Sequence, residues 1–350
     1  MRIAISCSGS GGHIFPALSL AERLKKEKQD LEVVFFLPKN RLTSFIFENQ
    51  VFEVEFSSIK RSILCLVKSS FKSLYLLKSF KPQVVIGFGG YETFSLLLEA
   101  KILGIPILIH EQNVTPGKCN QILSYFVDRI FISFPKTRNY FSKRNQKKIT
   151  FTGIPLREGI GKVSKKESLE FFNLDPDRFT LLVAGGSQGS SHINSVFLET
   201  LKLMQRDDIQ VIHLTGSKDY KYVKDFYQKI EIKSCVFDFL NEMNYAYGAA
   251  DLIVCRAGAV TVSEITLCGL ASVLIPYPYA YGHQKENAFN LVNKGAAILV
   301  EDRILNPFFL KRTIEELIDD KDKLREMASK SKDLGLGDAT ERLAKEIFSL

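Results

Sequence analysis

Arg2-Ile3-Ala4-Ile5-Ser6-Cys7-Ser8-Gly9-Ser10-Gly11-Gly12-His13 reads as a short buried strand that breaks into a glycine-rich turn, and an apolar-periodic helix follows through Leu18 and Leu24. The pattern returns half a chain later. Phe179 to Val183 is a strand, Gly185-Gly186-Ser187-Gln188-Gly189 a turn, and a helix opens near Asn194. Glycines in such turns let the backbone come close to a bulky anion, and the helix behind presents unpaired N–H groups and the positive end of its dipole. Each turn alone is also what a tight strand-to-helix connection requires. Together they imply two nucleotide-fold domains facing one ligand site.

Neither turn carries a nicotinamide or ATPase signature. After Gly9 and Gly11 a dinucleotide fingerprint needs glycine at position 14, which is Ile14, and an acid at the end of the next strand, where Val33 to Leu37 runs into Pro38, Lys39 and Asn40. No turn ends in Gly-Lys followed by Ser or Thr, so the P-loop pattern fails as well.

Strand and helix signals alternate outward from both turns. The first half offers Arg2 to Ser6, Val33 to Leu37, Val84 to Gly87, Ile105 to Ile109, Arg129 to Ile132 and Ile149 to Thr152. The second offers Phe179 to Val183, Val211 to Leu214, Cys235 to Phe237, Leu252 to Cys255, Ser272 to Pro276 and Ala297 to Val300. Short apolar strands separated by helices predict an α/β protein of two doubly wound parallel sheets, with a linker from Gly153 to Lys166. Ligands of such sheets sit outside the carboxyl ends of the strands. Three loops at those ends are unusually polar: His110-Glu111-Gln112-Asn113, Arg256 to Glu264, and His283-Gln284 with Glu286 and Asn287.

At 350 residues, 45% apolar and 25% charged, the composition is globular and long enough for two cores. Cys7, Cys65, Cys119, Cys235, Cys255 and Cys268 show no C-x-x-C spacing, which suits reduced thiols in a cytosolic protein better than a disulfide frame or a zinc site. The chain starts directly on a strand, so no signal peptide is expected. No apolar run reaches the roughly 18 residues needed to span a bilayer.

The net charge of +8 is unevenly shared: residues 1–150 hold 22 Lys+Arg against 11 Asp+Glu. Lys60 to Lys81 and Lys136 to Lys148 carry six basic residues each and no acid. Nucleic acid and anionic lipid are both partners for such a surface. On a helical wheel from Ser62 to Ser79, Ile63, Leu66, Val67, Phe71, Leu74 and Leu77 form a core stripe, while Leu64, Tyr75 and Leu76 alternate with Lys68 and Lys72 outside it. A mixed apolar and basic outer face fits a membrane surface better than a nucleic-acid groove, so Leu64, Lys68, Lys72, Tyr75 and Leu76 are candidate membrane contacts. A solvated basic face is the plainer reading.

The motifs in order, Ser8 to Pro16, Gly89-Gly90-Tyr91, His110 to Asn113, Thr152-Gly153-x-Pro155-x-Arg157, Gly185 to Gly189, Gly258-Ala259-x-Thr261-Val262-Ser263-Glu264 and Asp338-Ala339-Thr340-Glu341-Arg342, resemble the MurG family of GT-B glycosyltransferases over nearly the whole chain. The resemblance implies two Rossmann-like domains facing across a cleft: residues 1–155 with about 336–350 as the acceptor and membrane-facing domain, and 165–335 as the UDP-sugar domain. It also implies inverting transfer of N-acetylglucosamine from UDP-GlcNAc to the C4 hydroxyl of lipid I, giving lipid II, at the cytoplasmic face of the inner membrane. The implied partners are UDP-GlcNAc, lipid I and an anionic membrane surface, with no nucleic acid, cofactor or metal. The same residues leave open another lipid-linked UDP-sugar transferase, such as a galactosyldiacylglycerol synthase, or a UDP-sugar-binding module without turnover.

Residue roles follow from that resemblance. Ser10, Gly11 and Gly12 face donor and acceptor phosphates. Ser187 helps hold UDP, and Leu240 offers its backbone to uracil. Ala259, Val260, Thr261, Val262, Ser263 and Glu264 form the main nucleotide site, with Glu264 on the ribose. Arg157 adds charge near the donor, and Asn113 and Gln284 bind its sugar. His13 is the candidate base, since histidine titrates in the right range, and Glu111 is its rival. Asp175-Pro176-Asp177 reads as a turn and not a metal motif. Ser10 stands where the family usually has threonine, Ile154 where it has asparagine, and Glu92-Thr93-Phe94-Ser95 where it has small residues.

Overall fold

The computed structural model describes residues 1–38, 50–54, 63–279 and 282–350, with the backbone alone at 50–54, 63–71 and 92. Lys60, Arg61 and Ser62 of the expected basic segment lie outside the described residues. The chain folds as two compact units, one of Met1–Arg157 with Asp338–Leu350 and one of Glu158–Gly337.

In the first unit, β1 (Arg2–Ser6), β2 (Glu32–Pro38), β3 (Gln50–Val54), β4 (Val84–Gly87), β5 (Ile107–Glu111), β6 (Arg129–Ile132) and β7 (Ile149–Phe151) form one parallel sheet in the order β3-β2-β1-β4-β5-β6-β7. Side chains alternate across a strand, and both faces here are covered. Ile3 and Ile5 pack with the helices Gly11–Glu27 and Ala339–Phe348, while Ala4 packs on the other side with Leu77, Leu96 and Leu97. In the second unit, β8 (Phe179–Ala184), β9 (Ile209–Leu214), β10 (Ser234–Phe237), β11 (Leu252–Cys255), β12 (Ala271–Leu274) and β13 (Ala297–Leu299) run in the order β10-β9-β8-β11-β12-β13, also all parallel. Leu181, Val183, Val211 and Val254 meet Phe197 and Leu201 of the helix Ser191–Met204 and Leu310 and Ile314 of the helix Pro307–Asp319.

Each sheet reverses its winding once, between β1 and β4 and between β8 and β11. Those are the points where neighbouring connections depart to opposite sides and leave a crevice at the strand ends. Most expected strands agree within two residues at each end, and three differences bear on the site or the sheet. β3 (Gln50-Val51-Phe52-Glu53-Val54) is an addition to the expected strands, and its sequence lacks strict alternation because Val51 and Phe52 are adjacent apolar residues. β5 begins at Ile107 instead of Ile105, because the Ile105 N–H closes the preceding helix on the Ala100 carbonyl and Pro106 has no N–H to give. His110 and Glu111 therefore sit on the strand and not in a loop. β12 ends at Leu274, ahead of Pro276.

The helix Ile63–Phe80 matches the expected segment within a residue at each end. Tyr75 is 71% exposed and Lys72 is exposed, but Leu76 departs from expectation: it is half-buried, packed with Leu77 against the core beneath. The side chains of Leu64 and Lys68 are outside the described set.

Candidate active site

The turn after β1 is pinned to the loop after β4: the Ser8 N–H donates to the Gly89 carbonyl at 3.2 Å. Ser10 is the N-cap of the helix Gly11–Glu27, yet its side chain makes no capping bond. It turns to His13 Nδ1 at 3.0 Å, and Ser8 Oγ also meets that nitrogen. The first amides of the helix, on Gly11 and Gly12, have no intrahelical acceptor by geometry and point to where an anion would sit. The tautomer that carries its proton on Nδ1 and donates it to a serine oxygen keeps the Nε2 lone pair. A Cβ at Gly89 (φ +94°) would lie 3.1 Å from Nε2, so glycine leaves the ring its room. Burial lowers the His13 pKa to about 4, and the ring is neutral at pH 7.

Thr93, one of the departures from the family pattern, braces the same corner. Its hydroxyl donates to the Gly89 carbonyl at 2.9 Å, and its methyl occupies the space that a Cβ on Gly87 would need. Ile154, another departure, is buried.

At the end of β5, His110 is fully buried, stacked on Phe88 with 5.2 Å between ring centroids. Its Nε2 donates to the Gly153 carbonyl at 3.0 Å and its Nδ1 accepts from Gln112 at 3.1 Å; burial takes its pKa down to about 4. Glu111 gathers the following loop. One carboxylate oxygen accepts from the Asn113 N–H at 2.9 Å and the Asn113 side chain at 3.3 Å; the other accepts from the Gly117 N–H at 3.0 Å and Asn120 at 2.8 Å. Burial pushes its pKa up, and these donors pull it back. Arg157 places its guanidinium over the Phe15 ring, 4.7 Å from the centroid, beside the first turn of the Gly11–Glu27 helix.

In the second unit the turn after β8 is closed by glycines that admit nothing else. A Cβ on Gly189 (φ +74°) would come 2.0 Å from the Thr215 carbonyl oxygen, and one on Gly185 2.2 Å from the Ser190 nitrogen. Ser187 is exposed at the tip, and Ser190 caps the helix Ser191–Met204 through the Ile193 N–H. Beneath the turn, buried Asn194 donates to the Thr215 carbonyl and to Asp219, both at 2.9 Å, and accepts from His213 Nε2 at 3.1 Å; His213 Nδ1 contacts the Tyr227 hydroxyl at 3.2 Å. Burial takes the His213 pKa to about 3.

The helix Ala259–Cys268 starts at the end of β11, and its N-cap Gly258 offers no side chain, which leaves the amides of Ala259, Val260 and Thr261 facing outward. Ala259 and Val262 are buried, while Val260, Thr261 and Ser263 are partly open. Glu264 is 3% exposed and accepts the Tyr247 hydroxyl at 2.8 Å. Cys268, one turn on, has its thiol pushed up to about 12 by burial and then by the Glu264 charge. Gln284 accepts the Tyr277 N–H at 2.9 Å, and Leu240 is buried in the segment after β10.

Two residues outside the set chosen from sequence hold this unit's site together. Arg256 is 8% exposed, donates to Ser190 Oγ at 2.9 Å and to the Ile275 and Pro276 carbonyls at 3.2 and 3.3 Å, and pairs with Asp302. It thus ties the turn after β8 to the ends of β11 and β12. Tyr247 is the other. The only sequence signal was an arginine closing an apolar strand, where a charge is costly unless paired.

Asp175 and Asp177 form a turn, the Asp177 N–H donating to the Asp175 carboxylate at 2.9 Å. Among the described residues no group of three or more His, Cys, Asp or Glu is arranged to hold a metal ion, and no helix is long and apolar enough to cross a membrane.

Two doubly wound units, each with anion-ready turns at its winding reversal, define the GT-B class of glycosyltransferase. The N-terminal domain of glycosyltransferase family 28 matches residues 3–132 and its C-terminal domain residues 180–343. The UDP-N-acetylglucosamine–N-acetylmuramyl-(pentapeptide) pyrophosphoryl-undecaprenol N-acetylglucosamine transferase of Thermodesulfovibrio yellowstonii is 36% identical over 100% of this chain and 99% of its own length. The Acetivibrio thermocellus enzyme of the same description is 37% identical over 98% and 96%. The crystal structure of Acinetobacter baumannii MurG superposes with a TM-score of 0.78 at 26% identity, covering 100% of this chain and 99% of that one. The chain belongs to the MurG family within glycosyltransferase family 28. The Neisseria meningitidis UDP-GlcNAc 2-epimerase bound to UDP-GlcNAc, at 16% identity and a TM-score of 0.73 over the full length of both chains, shares the fold alone.

Proposed function

We infer that this chain transfers N-acetylglucosamine from UDP-GlcNAc to the C4 hydroxyl of the muramoyl sugar of lipid I with inversion, forming lipid II. The observation that carries this reading is the full-length identity of 36% to a relative described as that transferase. The second unit holds the nucleotide: the amides of Ala259 to Thr261 and the hydroxyls of Thr261, Ser263 and Ser187 take the diphosphate, Glu264 the ribose and the Leu240 backbone the uracil. Asn113 and Gln284 hold the donor sugar, and Arg157 adds positive charge. The first unit serves the acceptor, with Ser10, Gly11 and Gly12 toward its pyrophosphate.

In the reaction the acceptor C4 oxygen bonds to the anomeric carbon as the bond to the UDP oxygen breaks, and the hydroxyl proton passes to His13 Nε2. A pyrophosphate nearby raises the proton affinity of the ring, which starts low. Glu111, with both oxygens committed to the Asn113–Asn120 loop, is the brace of that loop. The negative charge that develops on the leaving diphosphate is stabilised by helix N-terminal amides and by Arg157. The polyprenyl chain of the acceptor stays in the bilayer, so the first unit docks on the cytoplasmic membrane face through Tyr75 and the lysines of the Ile63–Phe80 helix.

Incubation with labelled UDP-GlcNAc and a short-chain lipid I analogue tests the assignment. Label in a disaccharide lipid is the expected product. Transfer to diacylglycerol instead would move the chain to another lipid-linked transferase, and UDP binding without turnover would make it a binding module.

A further inference from the structure

Arg256 is a buried cation just ahead of Gly258, the N-cap of the helix Ala259–Cys268. In a unit read as the holder of a diphosphate, a guanidinium there is the obvious phosphate ligand, since its planar fork matches phosphate oxygens. Its surroundings point elsewhere. One terminal nitrogen pairs with Asp302 and reaches the Ile275 and Pro276 carbonyls, the other donates to Ser190 Oγ, and the Tyr277 ring covers the guanidinium with its centroid 5.6 Å away. Asp302, just past β13, neutralises that charge with one oxygen and meets His192 Nδ1 at 3.2 Å with the other.

This node adjoins both groups of donors read as the diphosphate site. Ser190 caps the helix Ser191–Met204, and its nitrogen stands 2.2 Å from where a Cβ on Gly185 would lie, so holding Ser190 holds the Gly185–Gly189 turn. The Arg256 N–H donates to the Ala184 carbonyl at 3.2 Å, at the end of β8. One ion pair thus sets the spacing between the turn after β8 and the start of the helix Ala259–Cys268. Donors already held at fixed spacing lose little freedom when an anion binds, which raises affinity.

We propose that Asp302 is a positioning residue for the diphosphate: by holding the Arg256 guanidinium it keeps the turn after β8 in register with the first turn of the helix Ala259–Cys268, and Arg256 is a strut and not a phosphate ligand. The proposal rests on the reading of this unit as the UDP site. Two accounts compete with it: a buried ion pair that only supports the fold, and an arginine that Asp302 restrains from a phosphate it would otherwise bind. They differ in what the loss of Asp302 does to discrimination between ligands with and without phosphate.

The test is titration of the full chain, followed by ligand-observed NMR, with UDP and with uridine, which shares the base and ribose but has no phosphate. Asp302→Ala should weaken UDP about 10-fold, leave uridine nearly unchanged and so shrink the preference between them. Equal weakening of both ligands would assign the ion pair to the scaffold, and tighter UDP binding would make the released Arg256 a phosphate ligand; either result overturns the proposal. So would an unaltered preference for UDP. Asp302→Asn, which keeps the shape without the charge, is read by the same criteria if the alanine variant does not fold. Thr261→Val, run in parallel, isolates the underlying reading, because it removes a hydroxyl assigned to the diphosphate and should also shrink the preference. If both variants keep the preference, the diphosphate reading of this unit falls; if Thr261→Val shrinks it while Asp302→Ala keeps it, the positioning role alone falls.

Discussion

His13 shows how a local environment resets the chemistry that a residue type suggests. An ordinary histidine titrates near neutrality, as a general base should, yet burial brings the His13 pKa to about 4. The base is therefore already deprotonated at pH 7 and stays so well into the acid range. Because kcat/KM reports the free enzyme and kcat the substrate complex, the acid limb of kcat/KM should fall near pH 4, and that of kcat at higher pH once phosphates surround the ring. His13→Ala should lower kcat by roughly 10² to 10⁴ and leave UDP affinity nearly intact. A change confined to KM, or acid limbs near pH 6.5 in both profiles, would place the base elsewhere. The residue was legible in the sequence because its turn is local, spanning Ser8 to His13. Arg256 was not, because its partners Ser190 and Asp302 come from distant segments that only the folded sheet brings together.

Among elements, the turn after β8 carries the strictest steric demand. Gly189→Ala must place a methyl where the Thr215 carbonyl stands and hold a positive φ, so it should destabilise the protein by about 1–3 kcal/mol, measured by urea unfolding. A loss within error would mean that the turn can open. The helix Ile63–Phe80 makes the opposite kind of claim, about its outer face. Replacing Lys68, Lys72 and Lys78 by Glu should release the protein from anionic vesicles, since each basic residue near such a surface contributes about 1 kcal/mol. Unchanged pelleting would leave this helix an ordinary solvated face. The glycine turns and most strands could be read from spacing and apolar runs. β5 was misplaced because the sequence shows Ile105-Pro106-Ile107 as one apolar stretch, and only the backbone pairing shows that Ile105 closes a helix. Leu76 was misassigned because an ideal wheel knows nothing of the helix Tyr91–Ile102 packed beside it.

At the scale of the whole molecule, buried neutral histidines make stability depend on pH. His213, held near 3 in the fold against an ordinary 6.5, is protonated first in the unfolded chain, so its contribution is complete above pH 6.5 and is lost as pH falls below it. Buried Glu111, with a raised pKa, acts in the opposite sense, so the comparison must be between variants. From pH 7 to 5 wild type should lose more stability than His213→Gln, by at most about 1.4 kcal/mol per pH unit; equal losses would show that His213 does not govern the slope. The path of the chain carries a further consequence. Residues 338–350 return to the first unit, where Leu343, Ala344 and Ile347 close the apolar surface of Ile14 and Ala17. During synthesis every residue of the second unit is joined to the chain before the first unit, begun earlier, receives its final helix. The half that starts first finishes last, and until then it carries an open greasy seam that a chaperone, or a neighbouring nascent chain, can grip.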